Sequence, residues 1–352
     1  SVLSASQTDG MVSRDSLGID IKFEEDSIKN YKIVREGDYV IHLRSFQGGF
    51  AFSDRVGVCS PAYTILRPTE QVSYGFLKPF FMSNKFINSL RLVTYGIRDG
   101  KSISVEEWLK LNTHLPSLKE QQKISSFLAL LDERIATQIK IIEDLKKLKS
   151  AISKHLFARK DLLETSICLS DIATLKNGYA FQSSKYNPLG KWKILTIANV
   201  SGERNINDED CNCIINLPSD IQNHQVLKEG DILISLTGNV GRVSLCNAGN
   251  YLLNQRVGLL QFTNNANREF IYQVLSSRRF ENSMIACGQG AAQMNIGKGD
   301  IENYILPYSA NANNIHLVAK ILQSYDEKII NEQRRLSLLT MQKQYLLAQM
   351  FI

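Results

Sequence analysis

Histidine and cysteine are the side chains whose own pKa values best suit them to bind transition metals or to act as a base or nucleophile near neutral pH. The five histidines are scattered, and each is expected to be a surface or hydrogen-bonded histidine: His42, His114, His155, His224 and His316. Among the six cysteines, Cys59, Cys168, Cys211, Cys213, Cys246 and Cys287, the C-x-C at 211–213 is the one close spacing. Because no C-x-x-C pair accompanies it, the sequence predicts free thiols, with no metal site and no disulfide framework.

The sequence lacks the catalytic motifs of adenine methyltransferases, of nucleotide-driven translocases and of hydrolases with a serine nucleophile turn. An adenine methyltransferase needs an N/D-P-P-Y/F motif and a glycine-rich cofactor loop, and Asn187-Pro188-Leu189 lacks the second proline. There is no G-x-x-x-x-G-K-S/T phosphate loop and no G-x-S-x-G nucleophile turn. We therefore expect no catalytic residue and no cofactor.

The chemistry that remains is recognition by polar side chains in glycine-rich segments. Arg, Lys, Asn and Gln can read base edges, whereas hydroxyls and amides bind phosphates. In the first half of the chain the candidates are Arg44, Ser45, Gln47, Tyr95, Arg98 and Lys101. In the second half they are Lys176, Asn177, Tyr179, Gln182, Ser184, Lys185, Thr237, Asn239, Arg242, Gln255, Arg256, Gln289, Gln293, Asn295 and Lys298. The alternative is that these glycines make turns and the asparagines cap them.

The elements that must position these residues occur twice. LPSLKEQQKISSFLALLDERI at 115–135 and LPYSANANNIHLVAKILQSYDEKI at 306–329 place Asp-Glu pairs 194 residues apart. Upstream, YKIVREGDYVIHLRS at 31–45 parallels HQVLKEGDILISLTG at 224–238. Each copy combines short strands and short helices with one long helix, an α+β pattern. The second copy starts earlier, at Leu169, so we expect about 25 residues of the first copy to be missing, through truncation or disorder.

Length, composition and net charge limit the classes of protein to which the chain can belong. The chain has 352 residues, 43% of them hydrophobic and 22% charged, with a net charge of +6. These values predict a globular protein of two or three domains that can accept a polyanion without requiring one. No apolar run approaches the roughly 20 residues of a membrane span, and no signal peptide opens the chain, so a cytoplasmic location is expected.

Heptads of apolar residues predict long helices over roughly 117–158 and 312–350, with matching phases. If a pseudo-twofold axis relates the copies, these helices pair antiparallel. The register we expect places Ile142 opposite Leu339 and Ile152 opposite Ile329. It also sets Lys149 opposite Glu332 and Gln138 opposite Lys343, because a shift by one heptad would place Glu332 against Ile142.

GIRDGKSISVEEWLKLNTHLPSLKEQQKISSFLALLDERI resembles the conserved region of specificity subunits of type I restriction-modification systems. In that family a target-recognition domain ends in G-x-x-G and a proline marks the start of a long helix that carries E-Q-x-x-I and L-D-x-x-I. GKWKILTIANVSG at 190–202 and LKEGDILISLTGNVGRVSL at 227–245 resemble the interior of such a domain. In the second copy, NANNIHL replaces LKEQQKI, so Glu120 and Gln121 lack equivalents and any partner contact that they make would be one-sided.

The resemblance implies an α+β fold with two tandem α/β target-recognition domains, separated by an antiparallel pair of coiled-coil helices with pseudo-twofold symmetry. The recognition domains would span 1–114 and 161–305, and the helices 115–160 and 306–352. The family implies that each domain reads half of a split double-stranded DNA site and that the helices set the gap between the halves. It also implies that two methyltransferase subunits and restriction-translocase subunits assemble around the specificity subunit, which itself has no catalytic residues. The complex as a whole would be a restriction endonuclease and adenine-N6 DNA methyltransferase.

Two alternatives stay open. The chain could instead be a non-catalytic coiled-coil scaffold whose globular domains bind protein. The basic run formed by Lys146, Lys147, Lys149, Lys154, Arg159 and Lys160 could be a solvated helix face or could neutralise DNA phosphates.

Overall fold

The chain folds as two compact units. A computed structural model describes residues 1–6, 9–14, 29–42, 49–95, 102–263, 266–288 and 294–350. The first unit comprises Ser1–Ile139 and Arg334–Ile352, and the second comprises Lys140–Gln333. Each unit therefore contains a globular region and a segment of each of two long helices.

The described residues of the first unit form short strands, short helices and the start of the long helix α4. The strands are β1 (Leu3–Ser6), β2 (Gly10–Ser13), β3 (Lys32–Val34), β4 (Tyr39–Ile41), β5 (Phe50–Phe52), β6 (Gly57–Cys59), β7 (Thr64–Leu66), β8 (Thr94–Tyr95) and β9 (Ser102–Ile103). The helices are α1 (Leu77–Phe81), α2 (Asn84–Ser89), α3 (Val105–Leu109) and α4 (Leu118–Ala158).

Aromatic side chains fill the core of this globular region. Strand β4 pairs antiparallel with β5 on one side and β7 on the other. Tyr39 of β4 and Phe50 of β5 pack against Phe81, Phe86 and Trp108 from the helices. The Phe50 and Phe86 rings meet edge to face at 5.0 Å, a geometry that stabilises a pair by about 0.5–1.5 kcal/mol beyond area burial.

The second unit carries the larger sheets. Its strands are β10 (Thr165–Cys168), β11 (Ala173–Asn177), β12 (Trp192–Leu195), β13 (Asn212–Ile214), β14 (Val226–Leu227), β15 (Ile232–Ser235), β16 (Val243–Leu245), β17 (Tyr251–Leu253), β18 (Val257–Phe262) and β19 (Ile305–Tyr308). Its helices are α5 (Arg268–Leu275), α6 (Arg278–Cys287), α7 (Lys298–Glu302) and the long α8 (Ala312–Met350), which continues into the first unit.

Two four-stranded sheets form the centre of the second unit. One has the order β11-β18-β15-β16 and is antiparallel, and the other has the order β13-β12-β17-β14 with β12 parallel to β17. Along β15 the side chains alternate: Leu233 joins the cluster between the sheets, whereas Ile232 and Ile234 join the cluster under the helices. This period of two covers both faces of the strand, which explains its continuous apolar sequence.

The E-G-D turn is built in the same way in both units, as the sequence repeat predicted. The Asp38 side chain accepts the Arg35 backbone N–H at 2.8 Å, and the Asp231 side chain accepts that of Lys228 at 2.8 Å. Gly37 has φ 88° and Gly230 has φ 80°. Because only glycine adopts this left-handed conformation without strain, the turn requires the glycine in both copies.

The two long helices have the predicted bounds, but the predicted register is wrong. Lys149 pairs with Asp326 at 2.6 Å and not with Glu332. In the first unit, Lys343 pairs with Asp132 and not with Gln138. These ion pairs occupy equivalent positions of the repeat.

Glu332 has a cation on its own helix, so the reason for expecting Lys149 opposite it does not apply. We expected Glu332 to be stranded unless Lys149 lay opposite. Instead Lys328, one turn earlier on α8, lies 2.8 Å from the Glu332 carboxylate. Lys149 is therefore available to Asp326.

Candidate nucleic-acid interface

Backbone hydrogen bonds join the candidate segments of the second unit. Tyr179, two residues after β11, lies beside Asn254 in the connection between β17 and β18. The Tyr179 N–H donates to the Leu253 carbonyl at 2.8 Å, and the Gln255 N–H donates to the Tyr179 carbonyl at 3.0 Å. Segments distant in the sequence are therefore neighbours in the fold.

The segment after β15 extends the same surface. The Leu236 N–H donates to the Arg256 carbonyl at 3.0 Å, and Thr237 forms an antiparallel bridge with Asn295. Seven described candidates of the second unit thus lie on adjoining segments, 177–179, 236–239, 254–256 and 294–296. We call these segments the recognition surface.

Most described candidates of the second unit are exposed to solvent. The exposed ones are Asn177, Gln182, Ser184, Lys185, Asn239, Gln255, Arg256, Asn295 and Lys298, and the half-buried ones are Lys176, Tyr179, Thr237 and Arg242. Exposed amide and guanidinium groups are the donors and acceptors that read base edges.

Three candidates have a polar group that is paired with a carboxylate or buried within the protein. The Arg242 guanidinium lies 3.7 Å from Glu281, and the Lys298 ammonium lies 3.6 Å from Glu302. The hydroxyl of Thr237 is buried and has no hydrogen-bond partner within the described ranges. These three side chains are less available to a ligand than their positions in the sequence indicated.

The surroundings of Tyr179 include residues that the glycine-loop pattern did not identify. Its hydroxyl donates to Asp220 at 2.8 Å, and this hydrogen bond raises the pKa of Tyr179. The Phe181 ring lies 4.9 Å from the Tyr179 ring. His224 Nε2 lies 3.1 Å from the Asn177 carbonyl oxygen. The contacts with Asp220 and His224 connect residues more than 40 positions apart in the sequence, so the local pattern gives no sign of them.

The other candidates fall mainly outside the described residues. Tyr95, at the end of β8, is 57% exposed and pairs with Ser102 of β9. The candidates outside the described residues are Arg44, Ser45, Gln47, Arg98, Lys101, Gln289 and Gln293.

Glu120 and Gln121 of the helix-start motif form hydrogen bonds inside the first unit. The Glu120 carboxylate accepts the Ser117 N–H at 3.0 Å and the Ser117 hydroxyl at 2.7 Å, a capping arrangement. Gln121 is buried, accepts the Ser73 N–H at 2.8 Å and donates to the carbonyls of Gln71 and Pro116 at 2.9 Å. The motif therefore fixes the start of α4.

The second copy fixes its helix start with other residues. The Asn311 side chain accepts the Asn313 N–H at 3.0 Å near the start of α8. Asn314 donates to the Leu162 carbonyl at 3.1 Å and thus connects the helix to the preceding segment. Although NANNIHL replaces LKEQQKI in the second copy, side-chain hydrogen bonds again fix the start of the long helix.

A buried charged cluster joins four segments of the second unit. The Arg204 guanidinium donates to both carboxylate oxygens of Glu269, at 2.8 and 2.6 Å, and lies 3.1 Å from Asp326. Asp326 also accepts Lys149 at 2.6 Å and Gln273 at 2.7 Å. Burial opposes the charge of Arg204, but the hydrogen bond and charge of Glu269 outweigh it, and the pKa of Arg204 is raised.

The basic run in and after α4 is largely paired. Four of its members form ion pairs, Lys146 with Glu203, Lys147 with Asp144, Lys149 with Asp326 and Arg159 with Asp161. The hypothesis that the run neutralises phosphates therefore rests mainly on Lys154 and Lys160, which are exposed.

No helix within the described residues is long and apolar enough to span a membrane. No group of three or more His, Cys, Asp or Glu side chains among them is placed to hold a metal ion.

Comparison with known families identifies the chain. Residues 164–341, half of the sequence, match the family model of the type I restriction modification DNA specificity domain. The chain belongs to this family. A comparison with curated protein sequences gave no match.

Two solved structures resemble this specificity-domain protein over most of its length. The S subunit of a type I restriction-modification system from M. genitalium matches with 17% identity and a TM-score of 0.56, covering 91% of this chain and 84% of that one. A structure from work on the assembly and conformational transition of the type I R-M system matches with 18% identity and a TM-score of 0.57, covering 91% and 83%. At these identities the likeness concerns the fold.

Proposed function

We propose that this chain is the specificity subunit of a type I restriction-modification system and that its globular regions bind double-stranded DNA. The family match over residues 164–341 carries the proposal. The recognition surface supports it, because exposed Asn, Gln and Arg side chains converge there.

We further propose that the DNA site is bipartite. Residues 1–114 and 161–305 would each read one half-site, and the helices at 115–160 and 306–352 would set the number of unread base pairs between them. The repeated E-G-D turn supports two related readers, because both copies build it with the same hydrogen bonds. Inserting four residues after Gln138 would add about 6 Å of helix and should lengthen the gap by one or two base pairs, at roughly 3.4 Å per base pair. An unchanged gap, or altered bases within a half-site, would count against the helices as the ruler.

The catalytic steps would belong to partner subunits. Two methyltransferase subunits and restriction-translocase subunits are the partners that the family implies, and this chain would hold them at the DNA site. The purified chain without partners should show no methyl transfer, DNA cleavage or ATP hydrolysis. Turnover by the pure chain would contradict this assignment.

A salt titration distinguishes DNA binding from a protein-binding scaffold. The affinity of the complex for random duplex DNA should fall linearly on a log-log plot against salt, with a slope of about −0.9 per phosphate contact. Methylated sites in host DNA should then show a defined sequence. The absence of salt-dependent DNA binding would leave the scaffold hypothesis as the better explanation.

A further inference from the structure

The connection between β17 and β18, residues Asn254–Arg256, is held in place from two sides. On one side, the Gln255 N–H donates to the Tyr179 carbonyl at 3.0 Å and the Asn254 N–H donates to the Leu195 carbonyl at 3.2 Å. On the other, the Arg256 carbonyl accepts the Leu236 N–H at 3.0 Å. We call these three residues the tip. Its backbone is fixed by two neighbouring segments and by β12.

The tip also closes on itself. The Asn254 side chain accepts the Arg256 N–H at 3.2 Å, and the Asn254 carbonyl accepts the Val257 N–H at 2.9 Å. Gly178 lies so close that an added Cβ would collide with the carbonyl of Asn254. A glycine at 178 therefore permits the close backbone approach that braces the tip.

Within the described residues, the Gln255 and Arg256 side chains of the tip are free although their backbone is fixed. Gln255 and Arg256 are exposed, and neither side chain forms a hydrogen bond or ion pair within the described part of the chain. Arg242 and Lys298, by contrast, have carboxylate partners. The tip thus presents an amide and a guanidinium on a rigid support, which is what a specific base contact needs.

Position and chemistry assign the tip a role within the recognition surface. Glutamine makes paired hydrogen bonds with adenine N6 and N7, and arginine makes them with guanine O6 and N7 in the major groove. We propose that Gln255 and Arg256 are the specificity-determining residues of the second unit, that Gln255 reads an adenine, and that Arg256 reads a guanine. This inference rests on the proposed function.

The test compares Arg256→Ala and Gln255→Ala with a matched control, Arg278→Ala, in the complex with the methyltransferase subunits; Arg278 is an exposed arginine of α6 that lies outside the recognition surface. The readout is the sequence of methylated sites, together with the salt dependence of DNA binding. Arg256→Ala should relax one base-pair position of one half-site, with discrimination falling about 5- to 150-fold. Gln255→Ala should relax a different position of the same half-site. Arg278→Ala should leave the consensus unchanged.

The outcomes distinguish an error in the roles of Gln255 and Arg256 from an error in the proposed function. If Arg256→Ala weakens all sequences equally and lowers the salt slope by about one, Arg256 contacts phosphate and the inference is wrong. An unchanged consensus in both tip variants would also overturn it, while the bipartite assignment would stand. If the wild-type complex shows no sequence-specific methylation, the proposed function itself fails. Because both tip side chains are exposed, the variants should keep the far-ultraviolet circular dichroism spectrum of the wild type.

Discussion

Asp326 should be among the most sensitive positions of the second unit, because two buried cations depend on it. Its side chain is 7% exposed, and those of Lys149 and Arg204 are 17% and 14% exposed. Replacing Asp326 with alanine removes the carboxylate that Lys149 contacts and leaves Arg204 with Glu269 alone. Removing one partner of a buried ion pair costs about 3–5 kcal/mol, and we expect Asp326→Ala to lower the free energy of unfolding by that amount.

The repeat supplies a matched control. Asp132 occupies the equivalent position in the first unit and pairs with Lys343, but these side chains are 52% and 26% exposed. Ion pairs in such positions contribute about 0–1 kcal/mol. Asp132→Ala should therefore be nearly neutral, although the two substitutions remove the same chemical group from the same position of the repeat.

The two tryptophans allow each unit to be followed separately. Trp192 lies in the second unit and Trp108 in the first. Asp326→Ala would be studied in a Trp108→Phe background and Asp132→Ala in a Trp192→Phe background, each against its own single-tryptophan parent. With a slope near 2 kcal/mol per molar urea, the Asp326 variant should unfold about 1.5–2.5 M earlier. Equal shifts for the two variants, or a loss below about 1 kcal/mol at Asp326, would refute the reasoning.

Three further predictions follow from single contacts. Gln121→Ala should destabilise the first unit by about 2–3 kcal/mol because buried backbone groups lose their partners, whereas exposed Gln122→Ala should stay within about 0.5 kcal/mol in the same urea assay. Gly178→Ala should impair sequence-specific methylation because its Cβ would displace the tip, whereas Gly299→Ala should leave it intact. Equal activity of the two glycine variants would contradict the bracing argument. Burial raises the pKa of the Cys246 thiol to about 12, so iodoacetamide at pH 8 should modify it far more slowly than an exposed thiol of pKa about 8.5, as measured by peptide mass spectrometry.

The sequence predicted the architecture because the relevant signals are periodic. Heptads located both long helices to within a residue or so, and the E-G-D repeat located equivalent turns in both units. The helix register was not predictable in the same way. It depended on which carboxylate Lys149 meets on the facing helix, and Lys149 pairs with Asp326 and not with Glu332.

The candidate site was likewise predictable from local sequence signals only in part. Residue type and glycine content selected the segments that form the recognition surface, but they could not show which side chains are free. Arg242 and Arg256 look alike in the sequence, yet Arg242 has a carboxylate partner, whereas Arg256 is exposed and has none among the residues that the structure describes. Pairings such as Arg242 with Glu281 join segments distant in the sequence and have no local signal.

The exchange of one recognition region tests the central claim most directly. Residues 165–305 would be replaced with the corresponding region of another family member, and the methylated sites of the resulting complex would be sequenced. We predict that one half-site changes while the other half-site stays as in the wild type. A change in both half-sites, or in neither, would contradict the account that two separate units each read half of the DNA target.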